Sequence, residues 1–558
     1  MTAAGAQGMG QPKSVSLSTV IVSSAAGTAF EWYDFFVFGA LTPIIAKNFF
    51  SALDATAGLL AALALFGAGF FFRPIGALIF GRVGDRVGRK GAFLITVTMM
   101  GGATFAIGLL PTYAQAGPIA PLLLVLMRII QGTALGGQYG GAAIYVAEHA
   151  RPNHRGYATS FIQASASFGL VGALGVILAL RTAMGEAAFS DGGWMGGWRA
   201  PFLMSAGLLA ISIFMRLKLT ESPTFAAIQA EGSQSKAPYR DAFGRWPNLK
   251  IVLTALVAMM CAQGAAWYTL FFYAEQVFLE RFLKLAPLTG TQLLISIAVA
   301  SAPMYIFFAW LSDKVGRKWI MWSGMTVALV FFFPGFHALT HFANPALEAA
   351  QKRTPVVVVA DPARCSLQFD ILGKAKFTTS CDIAKSALSN AGISYGNQAA
   401  PAGSVARVLI GDQVVMSQEA TGLPPAALKT TTEEVKGRLT AALKTAGYPS
   451  KADPAHVNFW GLLGVLMVLV LGCTALYAPI AVTLVELFPS RIRYTAMSLP
   501  YHIGTGWVGG FVPVTAFAIV TATGDIYSGL WYSAIFTGLS VVTLPFLLPE
   551  TRGRSIDG

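Results

Sequence analysis

Four ionisable residues lie inside otherwise apolar stretches in the first quarter of the chain: Glu31, Asp34, Arg73 and Arg128. A charged side chain in the middle of a bilayer costs about 2.5–3.5 kcal/mol, so such residues are candidates for function. A carboxylate removed from water takes up a proton more readily, and a guanidinium binds a carboxylate through two parallel hydrogen bonds. The acids could therefore exchange a proton, and the arginines could bind an anion.

Glu31 and Asp34 are three residues apart and share one face of a helix. Two acids and two bases in the same region predict mutual pairing. An anionic substrate that draws an arginine away would leave an acid free to take up a proton, which couples the two events. A Glu–Arg bridge that only holds helices together is the alternative interpretation.

Aromatic and histidine side chains in the apolar stretches form a second set of candidates for the substrate site. They are Tyr33, Trp267, Tyr268, Tyr501 and His502. Structural packing or placement at the membrane surface explains each of them equally well.

A charged, glycine-rich turn occurs twice, as GRVGDRVGRKG at 81–91 and as AWLSDKVGRKW at 309–319. Gly81 and Gly88 permit a tight reversal and a close approach of helices, and Asp85 can face a helix N-terminus or a cation. One such turn is explained by a basic loop that fixes topology. Two copies at matched positions indicate that the chain contains two repeats of one unit.

The turn superficially resembles a phosphate-binding loop, but it lacks the G-x-x-x-x-G-K-[ST] spacing, and no strand precedes it. Cysteine and histidine do not recur at the spacing of zinc ligands. We therefore expect no enzymatic activity, no cofactor and no metal.

Composition identifies the elements that must position these residues. Of the 558 residues, 55% are hydrophobic and only 12% are charged, which indicates a polytopic membrane protein. The net charge of +13 falls in short clusters between apolar runs and not on one basic face, so we expect no nucleic-acid partner. Twelve apolar segments are long enough to span a bilayer: 17–46, 57–80, 91–111, 118–147, 157–181, 198–217, 249–278, 288–311, 318–340, 457–485, 495–522 and 527–548.

The basic residues also predict the orientation. With the N-terminus in the cytoplasm, the inner loops collect 20 of the 39 basic residues, six of them in 216–250. The positive-inside rule then places both termini in the cytoplasm. The predicted fold is an all-α membrane protein with twelve transmembrane helices in two six-helix halves. The units are 1–217 (the N-terminal half), 218–248 (a cytoplasmic linker), 249–341 (helices 7–9), 342–456 (an insert) and 457–558 (helices 10–12 and the tail).

The first turn resembles the loop 2–3 signature of the major facilitator superfamily, G-x-x-x-D-[RK]-x-G-[RK]-[RK], at every fixed position, and the second copy has Ala309 for the first glycine. The resemblance implies the major facilitator fold and a latch that holds the cytoplasmic helix ends together during alternating access. The latch residues so implied are Asp85, Arg86, Gly88, Arg89, Asp313 and Arg317, with Gly81 at the close approach. Glu148 and Glu486, at inner helix ends before arginine-containing loops, are interpreted as latch partners.

Further stretches, including EWYDFFVFG, RIIQGTALGGQYGGAAIYVAEHA and ESPTF, resemble the metabolite:proton symporter branch of that superfamily. That branch implies organic acids, proline, betaines or shikimate as substrates. The chain departs from the branch at Gln138, where a glutamate is expected, and this removes an acid from helix 4. It departs again at 342–456, where a short loop is expected.

The insert has soluble-looking sequence with strand-like TPVVVVADP and helix-like TTEEVKGRLTAALKTAG, which predicts a small α+β domain. Helix counting places it in the periplasm. Cys365 and Cys381 both lie in it, and an oxidising compartment favours their pairing. Two free thiols are the alternative.

The sequence thus predicts a monomeric inner-membrane symporter that imports a small polar metabolite with protons, most simply an organic acid or zwitterion. An uncoupled facilitator or exporter is the alternative within transport. A transporter-like receptor, whose insert docks an unknown periplasmic partner, is the alternative from another class.

Overall fold

The computed structural model describes residues 16–51, 65, 67–218, 220–368 and 377–556. Most of them lie in long apolar helices, which satisfy their own backbone hydrogen bonds as a bilayer requires. The helices of the membrane part are α1 (Leu17–Ala40), α2 (Arg73–Arg86), α3 (Arg89–Leu109), α4 (Ile119–His149), α5 (Arg155–Met184), α6 (Arg199–Leu217), α7 (Trp246–Phe282), α8 (Pro287–Val315), α9 (Arg317–Ala343), α10 (Phe459–Leu487), α11 (Arg493–Thr523) and α12 (Leu530–Leu547). Shorter helices are Thr42–Phe49, Tyr113–Ala116, Pro152–His154, Glu186–Phe189, Pro223–Ala230 and Pro238–Phe243.

Within the described residues, the ten helices α3 to α12 are each long and apolar enough to cross a membrane. Counted as one span, α1 and the helix Thr42–Phe49, which meet at a bend of 59°, give an eleventh. The predicted second span, 57–80, lies partly outside the described residues, and α2 continues it. These spans confirm the all-α membrane fold.

The two halves meet along two helix pairs, α5 with α8 and α2 with α11. The second pair approaches closely, because a Cβ atom on Gly81 would lie 2.8 Å from Cα of Thr495. We call the side that carries the two glycine-rich turns the latch end. The opposite side, where α9 leads into the insert, is the insert end.

Two helices of the C-terminal half depart from regular α-helical geometry. π-Helical turns occupy Leu256–Met260 and Thr269–Phe282 in α7 and Ile503–Gly509 in α11. Such turns widen a helix locally and frequently accompany functional sites.

The insert is an α+β unit between α9 and α10, as predicted. Its strands are β1 (Val356–Ala360), β2 (Tyr395–Ala399), β3 (Arg407–Ile410) and β4 (Gln413–Met416), in the order β2-β1-β3-β4. Its helices are Pro345–Arg353, Pro362–Arg364, Ser380–Asn390 and Pro425–Thr445. Strands β1 and β2 pair in parallel, so the helix Ser380–Asn390 forms the crossover between them, while β3 pairs antiparallel with β1 and β4.

A disulfide bond joins Cys365 to Cys381, which confirms the predicted pairing. It ties the segment after β1 to the first turn of the crossover helix. The chain enters and leaves the insert at one point, where the backbone N–H of Asn458 donates to the carbonyl of Phe342 (2.9 Å). Cys261 and Cys473 are buried free thiols in α7 and α10.

Candidate substrate and proton site

Glu31 is buried on α1 and forms an ion pair with Arg216 of α6, with 2.8 Å between Oε1 and Nη2. The expectation that Glu31 pairs with Arg73 or Arg128 is therefore wrong. Pairing depends on which helix faces α1 at this depth, and at the level of Glu31 that helix is α6. Sequence reasoning missed Arg216 because it counted this residue among the loop cations of 216–250.

Asp34, one turn further along α1, is also buried and accepts a hydrogen bond from Ser205 of α6. It too makes no described ion pair with Arg73 or Arg128. A cavity of about 10 Å³ adjoins both acids, roughly the volume that one water molecule needs. The two carboxyl groups therefore have room for one water molecule beside them.

The Arg216 guanidinium packs between an aromatic ring and a glycine. It lies over the ring of Phe93, with 3.7 Å from Cζ to the ring centroid, which favours the cation. Gly27 leaves room for it, because a Cβ atom there would lie 2.3 Å from Nη2. Nε and Nη1 have no hydrogen-bond partner among the described residues. Protonating Glu31 would thus remove the one described anion that holds this cation.

Arg73 lies at the start of α2 and is 3% exposed. Its Nη1 donates to the hydroxyl of Tyr268 on α7 (3.2 Å), and its Cζ lies over the rings of Phe35 and Phe70, at 5.1 and 4.5 Å. Nε and Nη2 have no hydrogen-bond partner in the part of the chain that the structure describes. These two atoms form one edge of the guanidinium plane, which is the edge that engages a carboxylate in bidentate fashion.

Arg128 of α4 is 1% exposed and lies in a polar network. Its Nη1 donates to Gln131 (2.9 Å), and the Gln131 amide donates to the hydroxyl of Thr104 (2.8 Å). That hydroxyl in turn donates to the carbonyl of Met100 (2.9 Å). The network of Arg128 therefore runs through Gln131 to Thr104 on α3, and none of the hydrogen bonds of the described residues continues it to Asp34.

We call a cluster of buried aromatic side chains, most of them from the C-terminal half, the aromatic wall. Tyr501 stacks on Tyr139 of α4 with 3.7 Å between ring centroids, and its hydroxyl is 2.7 Å from that of Tyr477. Trp267 donates through Nε1 to Tyr305 (3.1 Å). Sequence reasoning missed Tyr139, Tyr305 and Tyr477, although Tyr139 follows the unusual Gln138 directly.

His502 is 2% exposed, and neither ring nitrogen has a hydrogen-bond partner among the described residues. It is adjacent in sequence to Tyr501 and to the π-helical turn of α11. Tyr33, by contrast, donates to the carbonyl of Pro201 (3.0 Å) and so packs α1 against α6. The structure thus brings Tyr268 to Arg73 and leaves Tyr33 outside the aromatic wall.

At the latch end, each half caps a helix of the other half. Asp85 accepts from the backbone N–H groups of Tyr494 and Thr495 (3.1 and 2.8 Å) at the start of α11. Asp313 accepts from those of Gly156 and Tyr157 (2.9 and 2.7 Å) at the start of α5. Carboxylates at helix N-termini satisfy free donors and complement the helix dipole.

Buried ion pairs repeat the same symmetry. Glu148 pairs with Arg89 and with Arg493, the latter at 2.6 Å, while Glu486 pairs with Arg317 at 3.3 Å and with Arg155 at 3.9 Å. Each glutamate therefore pairs with one arginine of a glycine-rich turn, Arg89 or Arg317, and with the first arginine of α11 or α5.

Gly88, with φ of +130°, makes the turn between α2 and α3 that places Arg89 next to Glu148. Arg86 departs from the expectation for the latch. It lies on the exposed side of the last turn of α2, and none of the ion pairs of the described residues includes it.

Two further glutamates complete the pattern. Glu221 accepts from the backbone N–H groups of Arg89 and Lys90 (3.2 Å each), and Glu550 accepts from those of Arg317 and Lys318 (2.9 and 3.2 Å). Burial opposes ionisation of Glu550, but these backbone donors outweigh it and lower its pKa. The sequence held a signal for both, since ESPTF and ETRGRS each follow the last helix of a half.

The family described as sugar (and other) transporter matches residues 19–242 and 445–558, more than half of the chain. The chain belongs to this family. The transporter is 34% identical to the shikimate transporter of Escherichia coli K12 over 57% of this chain and 72% of that protein. It is 35% identical to the inner membrane metabolite transport protein YhjE of the same strain, over 60% of this chain and 75% of that protein.

A third relative, the proline/betaine transporter of Escherichia coli K12, is 33% identical over 57% of this chain and 64% of that protein. Among solved structures, the major facilitator superfamily proton:xylose symporter XylE bound to 6-bromo-6-deoxy-D-glucose superposes with a TM-score of 0.63. The sequence identity is 14%, and the match covers 97% of this chain and 98% of that one, so it shows the fold alone. The protein is therefore a multi-pass membrane transporter of small solutes and not an enzyme, as the sequence predicted.

Proposed function

We propose that this transporter is a proton-coupled symporter that imports a small carboxylate-bearing metabolite by alternating access. The observation that carries the proposal is the edge of Arg73 formed by Nε and Nη2, which has no hydrogen-bond partner among the described residues. A buried guanidinium with two unsatisfied donors is costly to maintain, and a carboxylate on the substrate satisfies both at once.

The aromatic wall narrows the class of possible substrates further. Tyr268 holds the far side of Arg73, while Tyr139, Tyr477 and Tyr501 present rings and hydroxyl groups nearby. Such a wall accepts either the apolar body of an organic acid or, by cation–π contact, the cationic group of a zwitterion. The names of the relatives include both kinds of solute, shikimate and proline or betaine.

Proton coupling is assigned to Glu31 with Arg216 and to Asp34. Protonation of Glu31 would weaken its pair with Arg216 and loosen α1 from α6.

We further propose that the latch end faces the cytoplasm of a cell with an inner membrane and that the insert is periplasmic. The distribution of basic loop residues supports this orientation. One relative is itself named an inner membrane transport protein.

Uptake into proteoliposomes tests the function. A thermal-shift screen of purified protein with shikimate, proline and glycine betaine would first select the ligand. Accumulation of that ligand driven by an inward proton gradient, and absent without one, is the expected result. Equal uptake with and without the gradient would instead identify an uncoupled facilitator. No uptake of a ligand that binds would favour a receptor.

A further inference from the structure

The insert contacts the membrane part at the last turn of α11. The final carbonyl groups of a helix have no partner within the helix. Here the carbonyls of four consecutive residues accept hydrogen bonds from the insert: Thr521 from the Tyr395 hydroxyl, Ala522 from Lys385 Nζ (3.1 Å), Thr523 from Asn397 Nδ2 (2.6 Å) and Gly524 from the Tyr395 backbone N–H (2.8 Å). The insert therefore caps the C-terminus of α11.

The insert also donates hydrogen bonds to carbonyl groups at the C-terminal end of α7. The amide of Asn344, where α9 leads into the insert, donates to the carbonyl of Leu283 (3.0 Å). The backbone N–H of Ala452 donates to the carbonyl of Lys284 (3.1 Å). Gly392 rests directly on this end, because a Cβ atom there would lie 2.2 Å from the carbonyl oxygen of Phe282.

The two capped helices also carry the candidates that the sequence predicted in the C-terminal half, Trp267 and Tyr268 on α7 and Tyr501 and His502 on α11. Between those residues and the capped ends, α7 and α11 both contain π-helical turns. At the insert end, α7 closes against the other half, where Phe272 stacks on Phe36 of α1 with ring centroids 6.3 Å apart. Phe36 is only 7% exposed in this arrangement.

We propose that the insert is a brace that joins the insert-end termini of α7 and α11 and thereby holds the insert end closed. Tyr395, Lys385 and Asn397 are its positioning residues. Every contact that exists in the closed arrangement and is lost on opening shifts the equilibrium toward the closed form. Opening the insert end requires the ends of α7 and α11 to part from the brace, so these hydrogen bonds are lost on opening.

Removing the donors tests the brace. The brace variant combines Tyr395→Phe, Lys385→Met and Asn397→Ala. A control variant, Tyr448→Phe with Lys436→Met and Asn390→Ala, removes the same chemical groups where they bond only within the insert, to Thr354, Glu433 and Ser386. Both variants carry Phe36→Cys as a reporter for labelling by a membrane-impermeant maleimide. Parallel samples without the reporter measure the background from Cys261 and Cys473.

We expect labelling to be about fivefold faster with Tyr395→Phe alone and at least about tenfold faster in the brace variant, because each lost hydrogen bond shifts the opening equilibrium by roughly fivefold. The control should label at the unmodified rate. Faster hydrogen exchange in the peptide 512–530 of the brace variant is the second expected result. The readout uses no substrate, so it is independent of the proposed transport function.

Equal labelling of the brace and control variants would overturn the proposal. A gel-mobility test of the disulfide under non-reducing conditions reports whether the insert has folded. If the brace variant fails that test, the single change Tyr395→Phe decides, and unchanged labelling there would overturn the proposal equally.

Discussion

Replacing Arg73 by lysine separates substrate binding from simple charge compensation. Lysine keeps the positive charge but loses the planar fork that reaches a carboxylate with two donors. Each charge-assisted hydrogen bond contributes about 1.5–3 kcal/mol. Arg73 offers two such donors, Nε and Nη2, neither of which has a partner in the described part of the chain, and lysine retains one. We therefore expect a loss of ~2 kcal/mol, or about a thirtyfold rise in Kd.

Calorimetric titration of the purified variant with the ligand from the thermal-shift screen measures this change. Arg199→Lys is the matched control, because Arg199 is equally buried but donates to the carbonyls of Gly108 and Leu110 (2.9 and 2.7 Å) within one half. It should lower the melting temperature and leave Kd unchanged. If Arg73→Lys binds within threefold of the unmodified protein, Arg73 is a structural counter-ion and the assignment of the carboxylate site is wrong.

Three other predictions address coupling, the latch and the insert. Glu31→Gln should abolish accumulation driven by a pH gradient in proteoliposomes while sparing substrate exchange, because exchange needs no net release of protons; accumulation that persists would place the proton site elsewhere. Asp85→Asn should slow transport several-fold at unchanged Kd, because the amide keeps only one acceptor oxygen for the two N–H groups and turns its own NH2 toward the other, which removes one hydrogen bond and weakens the second by about 1 kcal/mol; an unaltered rate would remove Asp85 from the latch. Replacing both Cys365 and Cys381 by serine should lower the unfolding free energy of the insert by about 3 kcal/mol for a loop of this length. Hydrogen exchange of 380–390 measures it, and unchanged protection would contradict the reasoning.

The glycine-rich turn at the latch end was the most predictable part of the molecule. Its two copies lie at matched positions in the sequence, and a carboxylate beside basic residues has few partners other than a helix start or a cation. Asp85 and Asp313 accordingly lie on the starts of α11 and α5. The sequence did not reveal that each half caps a helix of the other, because the partner of each turn is distant along the chain.

The ion pair of Glu31 was harder to predict, because an ion pair inside a helical bundle depends on the rotation and depth of each helix. Glu31 and Asp34 were visible as unusual residues, but nothing local in the sequence indicates that α6 faces them. Arg216 lies at the end of a hydrophobic segment, where an arginine is ordinarily explained by the membrane surface. Because Arg216 is only 1% exposed, it lies inside the bundle and not at the membrane surface.

The insert was predicted as a domain of the right class with the right disulfide, yet its relation to the membrane part was not. Caps on helix ends involve backbone carbonyls, which have no signature in side-chain patterns. Only the fold brings β2 beside the last turn of α11. A simple loop in place of the insert would therefore leave that helix end without its partners.

The hydrogen bond between Asn458 and Phe342 has a consequence for how such a chain can be modified. Because the insert departs and returns at a single point, a domain whose own termini are adjacent can occupy this position without spreading α9 from α10. The same junction suits the grafting of a fluorescent reporter, and it would allow a simple transporter to have acquired the insert first and the capping contacts later.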